Sequence, residues 1–120
     1  MPDRALRTFD PPHAVEVMVF EVRSDTVDAW LEADHEIWTL PESERFEFYV
    51  DKDVWVSPGT EWTRVTLVIT WSDEAAWKAI DPDWVAAQQE FFDEVVGAET
   101  YRLVHEEHEV RAHYRVRSFR

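Results

Sequence analysis

Hydrophobic and polar residues alternate along several stretches of this chain, and each alternation predicts a β-strand. Residues 14–22 are apolar in both phases of the alternation. One face carries Val15, Val17 and Val19, and the other carries Met18, Phe20 and Val22. Because a strand that is apolar on both faces has to be covered on both, the first strand predicts a second layer beyond its own helices.

Two further alternating stretches, residues 46–57 and 62–71, flank the turn signal Pro58-Gly59 and predict a β-hairpin. In the second stretch the apolar face carries Val65, Leu67, Ile69 and Trp71. In the first stretch the alternation places Tyr49 and Trp55 together, on the face opposite Phe46, Phe48, Val50, Val54 and Val56. Residues 100–104 and 110–117 also read as strands, but out of phase, which predicts a bulge or break near residues 105–109.

Apolar residues at helical spacing separate these strands. The first helix is predicted from Ser24 or Asp25 to about Thr39, with Pro41 ending it. Its inward stripe consists of Val27, Leu31, Asp34 and Trp38. A short helix over residues 72–80 follows, and a longer one runs from residue 81 to a C-terminal glycine at residue 97.

The resulting order is βαββαβ plus a C-terminal strand, which is the ferredoxin-like arrangement of an α+β fold. An antiparallel sheet with helices on one face leaves its other, apolar face bare. The simplest cover is the same face of a second copy, so we predict a homodimer that forms a dimeric α+β barrel. We further predict a flexible arm over residues 1–13, the α+β domain over residues 14–108, and a C-terminal strand or tail over residues 109–120 that docks on the dimer partner.

Composition narrows the possible partners. The 120 residues carry a formal net charge of −14, which argues against nucleic acid or an anionic membrane as a partner. Residues 101–120 hold five arginines against three glutamates, so this basic tail is expected to dock on an acidic body, its own or a partner's. There are no cysteines, which excludes disulfides and thiolate zinc sites. With no signal-peptide pattern and no long apolar run, we expect a cytoplasmic protein.

Three segments carry a resemblance to known proteins. Residues 34–39 (DHEIWT), 54–55 (VW) and 71–80 (WSDEAAWKAI) resemble a small uncharacterised bacterial family, over roughly residues 14–117. Its members resemble the dimeric α+β barrel superfamily that includes antibiotic-biosynthesis monooxygenases. That resemblance implies a ligand cavity between sheet and helices and, in some members, cofactor-free oxygenation or haem degradation. It transfers no catalytic residue to this chain.

Asp34 is the most unusual candidate site residue, because it occupies the centre of an otherwise apolar helix stripe. A carboxyl desolvated there would have a raised pKa and could act as an acid or a base. Alternatively, it would serve as a structural acceptor for an indole N–H or a backbone group. Both interpretations place its side chain in the interior.

The hairpin supplies three more candidates. Tyr49 and Trp55 on one strand and Arg64 on the next would form a pocket with aromatic walls and one guanidinium, if their faces meet. Such a pocket suits a small aromatic or carboxylated ligand. The alternative is a dimer interface in which Arg64 pairs with an acid such as Asp51 or Asp53.

No motif identifies a reaction. Residues 105–109 (HEEHE) lack the zincin spacing and read as a hydrated charged turn, so we expect no metal and no cofactor. The seven tryptophans indicate either an aromatic core or an aromatic-lined pocket. Two function classes stay open: a small-molecule site, of which a cofactor-independent monooxygenase is one form, and a non-catalytic dimeric binding or structural module. A continuous cavity would favour the first class and a filled interior the second.

Overall fold

The computed structural model describes residues 3–106 and 111–120. Its strands are β1 (Leu6–Arg23), β2 (Tyr49–Ser57), β3 (Trp62–Trp71), β4 (Tyr101–Glu106) and β5 (His113–Phe119). Its helices are α1 (Val27–Ala33), α2 (Leu40–Arg45), α3 (Glu74–Lys78) and α4 (Pro82–Val96). A π-helical segment, Asp34–Thr39, joins α1 to α2, and 3-10 turns lie at Ser24–Thr26 and Ala98–Thr100. None of the helices described is both long and apolar enough to cross a bilayer.

The strands form one antiparallel sheet in the order β2-β3-β1-β4, and β5 also pairs with β1. This order and the helices between the strands confirm the predicted ferredoxin-like α+β fold. β1 is the central strand: one edge pairs with β3, and the other edge pairs with β4 near its end and with β5 near its start. The sheet therefore depends on a strand of 18 residues that contacts three others.

β1 begins at Leu6, so residues 6–13 of the predicted arm (residues 1–13) belong to a strand. The sequence pattern starts the strand at residue 14 because Pro11 and Pro12 break the alternation. Backbone pairing with β5 extends it, with Leu6 opposite Phe119. The prolines lie where the β1–β5 register is interrupted, between Thr8 and His13, so the ladder does not need their missing N–H groups. Docking of the C-terminal segment on a partner chain stays a prediction.

The first helical region also runs further than predicted, through residues 40–45. Pro41 cannot donate to the carbonyl of Ile37, four residues earlier, and its ring crowds that carbonyl in a regular α-helix. The π-helical segment resolves this conflict, because its wider turn places the Leu40 N–H on the carbonyl of His35. The freed Ile37 oxygen accepts a hydrogen bond of 2.6 Å from Nε2 of Gln88 in α4.

The core lies between the sheet and the helices. Val65, Leu67, Ile69 and Trp71 are buried on the inward face of β3, which confirms the predicted apolar face. One cluster gathers around Trp30 and Phe92, whose rings meet edge to face at 5.5 Å, and a second gathers around Trp71. The opposite face of the sheet carries Val15, Val17 and Val19, as the alternation predicts.

Candidate functional site

A cavity of about 890 Å³ lies between the inward face of the sheet and the helices. Most of its wall is aromatic or aliphatic, and its aromatic lining comprises Phe20, Trp30, Trp38, Trp77, Phe92 and Tyr101. β1 and β3 form one wall of the cavity. The helical region and α4 form the facing wall. A volume of this size can enclose a small organic molecule.

Acidic and basic side chains interrupt this apolar wall on one side. The carboxyls of Glu16, Asp34, Glu42 and Glu106 and the amines of Lys52 and Lys78 line the cavity. These two lysines are the only lysines in the sequence. Charged groups are rarely found in an interior unless they are paired or functional, so their convergence on one cavity marks the candidate site.

Asp34 and Lys52 form a buried ion pair at the centre of this group. Their Oδ2 and Nζ atoms are 2.8 Å apart, and the two side chains are only 5% and 3% exposed. The ammonium of Lys52 also donates to Oγ1 of Thr39, again at 2.8 Å. The π-helical segment supplies both acceptors, since Asp34 and Thr39 are its first and last residues. Desolvation raises the pKa of Asp34, and the nearby Lys52 charge opposes that rise.

The partner of Asp34 differs from the partners that the sequence analysis considered for it. Asp34 accepts a hydrogen bond from a buried donor, but the donor is an ammonium rather than an indole or a backbone group. The sequence pattern could have indicated Lys52, because it lies in phase with Val54 and Val56 on the inward face of β2. A lysine at such a position requires a buried counter-charge.

Glu16 contributes the second carboxyl, from the inward face of β1. Its Oε1 accepts a hydrogen bond of 3.2 Å from the indole N–H of Trp71, which is fully buried. Desolvation raises the pKa of Glu16 to about 7, while the Trp71 hydrogen bond and the charge of Lys52 oppose the rise. Both protonation states of this carboxyl are therefore populated near neutral pH.

Glu42 contributes the third carboxyl, from α2. The residue is 8% exposed, and within residues 3–106 and 111–120 its carboxyl forms no hydrogen bond. Desolvation and the neighbouring Glu16 raise its pKa to about 8, against a smaller opposing effect of Lys52. Among the described residues, the fully buried side-chain atoms without a hydrogen-bond partner are Nδ1 of His13 and Nε1 of Trp30, so the Glu42 carboxyl is instead open to the cavity.

A smaller polar network involves Tyr101 and Gln89, which also line the cavity. The Tyr101 hydroxyl donates to Asp93, and Nε2 of Gln89 donates to the Tyr101 oxygen at 2.7 Å. Burial and the Asp93 carboxylate raise the pKa of Tyr101. The phenol consequently stays protonated and acts here as a fixed hydrogen-bonding group.

The structure does not bring Tyr49, Trp55 and Arg64 together with Asp34. A register irregularity at Val50 turns Tyr49 to the inward face, where its ring meets that of Trp71 edge-on at 5.6 Å. Burial raises the pKa of Tyr49 to about 12, but its side chain does not contribute to the cavity wall. The predicted shared face of Tyr49 and Trp55 is thus wrong, because the bulge shifts the alternation by one residue.

Trp55 and Arg64 do share a face, on the side of the sheet away from the cavity. Trp55 lies opposite Thr66 and is 60% exposed, and Arg64 lies opposite Ser57 and Glu21. The acid Asp51, considered as a partner for Arg64, instead pairs with Arg115 of β5 at 3.0 Å. The C-terminal strand thus makes its acidic contact within its own chain.

The charged run at residues 105–109 is described only in part. Glu106 reaches the cavity wall, and residues 107–109 lie outside the described residues. The predicted break falls close by, since the β1–β4 register shifts between His105 and Leu103. In the part of the chain that is described, no three metal-ligating side chains come together.

Comparison with known proteins supports the fold. No protein-family model matches the chain, and no curated protein sequence matches it. Among solved structures it is similar to a dimeric ferredoxin-like protein from an uncultured marine organism, with a TM-score of 0.50 and 11% identity over 78% of this chain and 89% of that one. It also matches a conserved protein from Methanosarcina mazei Go1, with a TM-score of 0.49 and 18% identity over 77% and 91%. A third match, to the de novo designed protein Foldit4, has a TM-score of 0.48 and 15% identity over 78% and 91%.

Proposed function

We propose that this chain binds a small organic molecule in the cavity between its sheet and its helices. The observation that carries the proposal is the cavity of about 890 Å³, whose aromatic wall meets a cluster of buried carboxyls. Apolar cavities with a few converging polar groups are the usual form of small-molecule sites. A purely structural module, the alternative class, would fill this space with side chains.

The carboxyls give the cavity acid–base capacity. Glu16 and Glu42, with pKa values of about 7 and about 8, can each take up or release a proton near neutral pH. The Asp34–Lys52 ion pair lines the same cavity as Glu16 and Glu42 and provides a fixed dipole there. A ligand with an exchangeable proton would thus meet groups able to move it.

The resemblance to antibiotic-biosynthesis monooxygenases gives the reaction to test first. An electron-rich phenol held among Trp30, Trp38 and Trp77 would lose its O–H proton to a carboxylate, and a ring carbon of the phenolate would then add O2 to give a hydroperoxide. Cleavage of the O–O bond with loss of that carbon's hydrogen would give a quinone and water, so the substrate itself supplies the electrons and no cofactor is needed. The aromatic wall and the basic carboxylates support this candidate reaction. Turnover of oxygen in the presence of such a substrate is its measurement.

We also propose that the chain is a homodimer. The valines Val15, Val17 and Val19 form an apolar strip on the face of the sheet opposite the helices. Burial of this strip against a second copy would remove it from water, as in a dimeric barrel. One structure of similar fold is itself described as a dimeric ferredoxin-like protein.

A thermal-melt screen tests the ligand site directly. Aromatic acids, aromatic amines, quinones and haem would be added singly, and a bound compound would raise the melting temperature. The variant Ala86→Trp places an indole in the cavity wall, and the adjacent Ala87→Trp, outside that wall, is the matched control. We expect Ala86→Trp to weaken binding about tenfold or more and Ala87→Trp to leave it unchanged. No stabilising compound, or binding that ignores Ala86→Trp, would overturn the proposal.

A further inference from the structure

We propose that the ligand of this cavity is an organic cation, an aromatic or apolar body that carries a protonated amine. The inference rests on the proposed function and specifies its ligand class. It is carried by the charges that line the cavity, by one buried carboxyl without a hydrogen-bond partner, and by the indole rings beside them.

The cavity wall has more acidic groups than basic ones. Four carboxyls and two ammonium groups line it, and no arginine is among the described residues of the wall. One of each is already matched, because Asp34 and Lys52 bind each other at 2.8 Å. Glu16 and Glu42 then share the cavity wall with the ammonium of Lys78. A ligand that brings a positive charge would correct this imbalance.

Glu42 shows where the ligand's charged group would bind. Its carboxyl lines the cavity and is buried, yet it has no hydrogen bond from any residue the structure describes. In its ionised form this carboxyl only accepts hydrogen bonds, so a partner that stabilises that form has to be a donor. An ammonium provides such donors together with the opposite charge, which makes the bond charge-assisted.

The aromatic part of the wall suits the same ligand. Indole rings attract cations through their faces, and three tryptophans line the cavity. One of them already holds a cation in this way, since the ammonium of Lys78 lies 4.7 Å from the centre of the Trp77 ring. An alkylammonium with an aromatic body could therefore use both parts of the wall, the carboxyls for its charge and the rings for its carbon atoms.

A carboxylated ligand, considered from the sequence, fits this cavity poorly. The guanidinium that motivated it, Arg64, lies on the opposite face of the sheet. Lys52 donates to Asp34 and Thr39, and its charge is already balanced by the Asp34 carboxylate, so it offers no unbalanced positive charge to a second carboxylate. A negative head group would also share the cavity with the carboxyls of Glu16 and Glu42, whose ionised forms would repel it.

Cation binding would change the protonation of the cavity. An ammonium beside Glu42 and Glu16 favours their ionised forms, so binding at neutral pH releases protons and strengthens as pH rises through about 7 to 8. The groups that act on these two carboxyls are Asp34, Lys52, Tyr49, Trp71, Lys78 and Glu106.

Three pyrene derivatives test the charge preference: 1-pyrenemethylamine, 1-pyrenemethanol and 1-pyrenecarboxylate. They share one aromatic body and differ in head-group charge, and fluorescence anisotropy reports their binding. The titrations use about 0.5 M NaCl, because the net charge of −14 attracts cations to the whole surface and salt screens that attraction. We expect the amine to bind about tenfold or more tightly than the alcohol, and the carboxylate to bind most weakly.

Two variants localise the effect. Glu42→Gln removes the charge and keeps the shape, and Glu44→Gln on the same helix, exposed and outside the cavity wall, is its control. We expect Glu42→Gln to weaken amine binding about tenfold, with alcohol binding unchanged and Glu44→Gln without effect. Glu16→Gln, which keeps an acceptor for Trp71, should act in the same direction and serves if Glu42→Gln folds poorly.

The outcomes separate the two proposals. Alcohol binding that equals or exceeds amine binding would overturn the cation inference and leave the cavity as a small-molecule site. Amine binding that neither Glu42→Gln nor Glu16→Gln weakens would overturn it as well. If none of the three compounds binds, and the melt screen is also negative, the small-molecule proposal itself fails.

Discussion

The side-chain amide of Gln88 donates a hydrogen bond of 2.6 Å to the main-chain oxygen of Ile37. This contact links α4 to the π-helical segment at the carbonyl that Pro41 leaves without a partner. It thereby stabilises the irregular backbone that presents Asp34 and Thr39 to Lys52. A residue outside the cavity wall thus positions the ion pair inside it.

Gln88→Ala should lower the free energy of unfolding by ~1–2 kcal/mol, because a buried carbonyl oxygen loses its donor. Chemical denaturation measures the change, and Glu90→Ala on the exposed side of α4 is the control, expected within ~0.5 kcal/mol. In a Pro41→Ala background, the new N–H can donate to the Ile37 oxygen, so the cost of Gln88→Ala should become smaller. An equal cost in both backgrounds would contradict the link between Gln88 and Pro41.

Asp34→Ala and Lys52→Met should each lower the free energy of unfolding by ~3–5 kcal/mol, because either change leaves a buried charge without its partner. The double variant removes both charges, so its cost should be clearly below the sum of the single costs. A double-mutant cycle by urea denaturation measures this coupling. Additive costs would mean that the two side chains do not interact in solution.

The stability of the chain should fall as pH rises from about 5 to about 9. Glu16 and Glu42 have folded-state pKa values of about 7 and about 8, above the ordinary value of 4.5, so the folded chain holds more protons than the unfolded chain within this window. The stabilisation is fully present below pH 4.5 and is lost as pH rises through 7 to 8, with a magnitude on the order of 3–5 kcal/mol for each carboxyl.

Glu42→Gln tests the origin of this pH dependence, because glutamine does not titrate. Denaturation at a series of pH values should give a shallower decline for this variant, and Glu44→Gln should reproduce the wild-type curve. A curve that Glu42→Gln leaves unaltered would show that other groups govern the decline.

If the chain is a homodimer, a charge placed on the face of the sheet opposite the helices should separate the two copies. Val17→Arg places a cation in the apolar strip and should convert a particle of twice 14.3 kDa into single chains, as measured by light scattering after size exclusion. Val95→Arg, on an exposed part of α4, is the control and should stay dimeric. A wild-type mass of 14.3 kDa would contradict the dimer.

Much of the fold follows from alternation along the strands. The inward face of β3, the order of elements and the ferredoxin-like sheet could all be predicted, because each depends on local periodicity. The start of β1 could not, since pairing with a strand about a hundred residues away overrides two prolines. The helical conformation of residues 40–45 could not be predicted either, because a hydrogen bond from Gln88 in a distant helix compensates for Pro41.

The candidate site was only partly predictable. Asp34 stands out in the sequence because it interrupts an apolar stripe. Glu16 and Lys52 carry a similar signal, since each lies in phase with inward apolar residues of its strand. Tyr49 could not be placed correctly, because a single extra residue at Val50 reverses the alternation and no local sequence signal marks that bulge.

Because both lysines of the sequence line the cavity, an amine-selective reagent can probe the cavity wall. Ten of the twelve basic side chains are arginines, which do not react with amine-selective acylating reagents near neutral pH. Lys52 is sealed within its ion pair, whereas Lys78 is exposed at the cavity wall. Side-chain acylation should therefore concentrate at a single position, and its rate would report whether the neighbouring space is occupied.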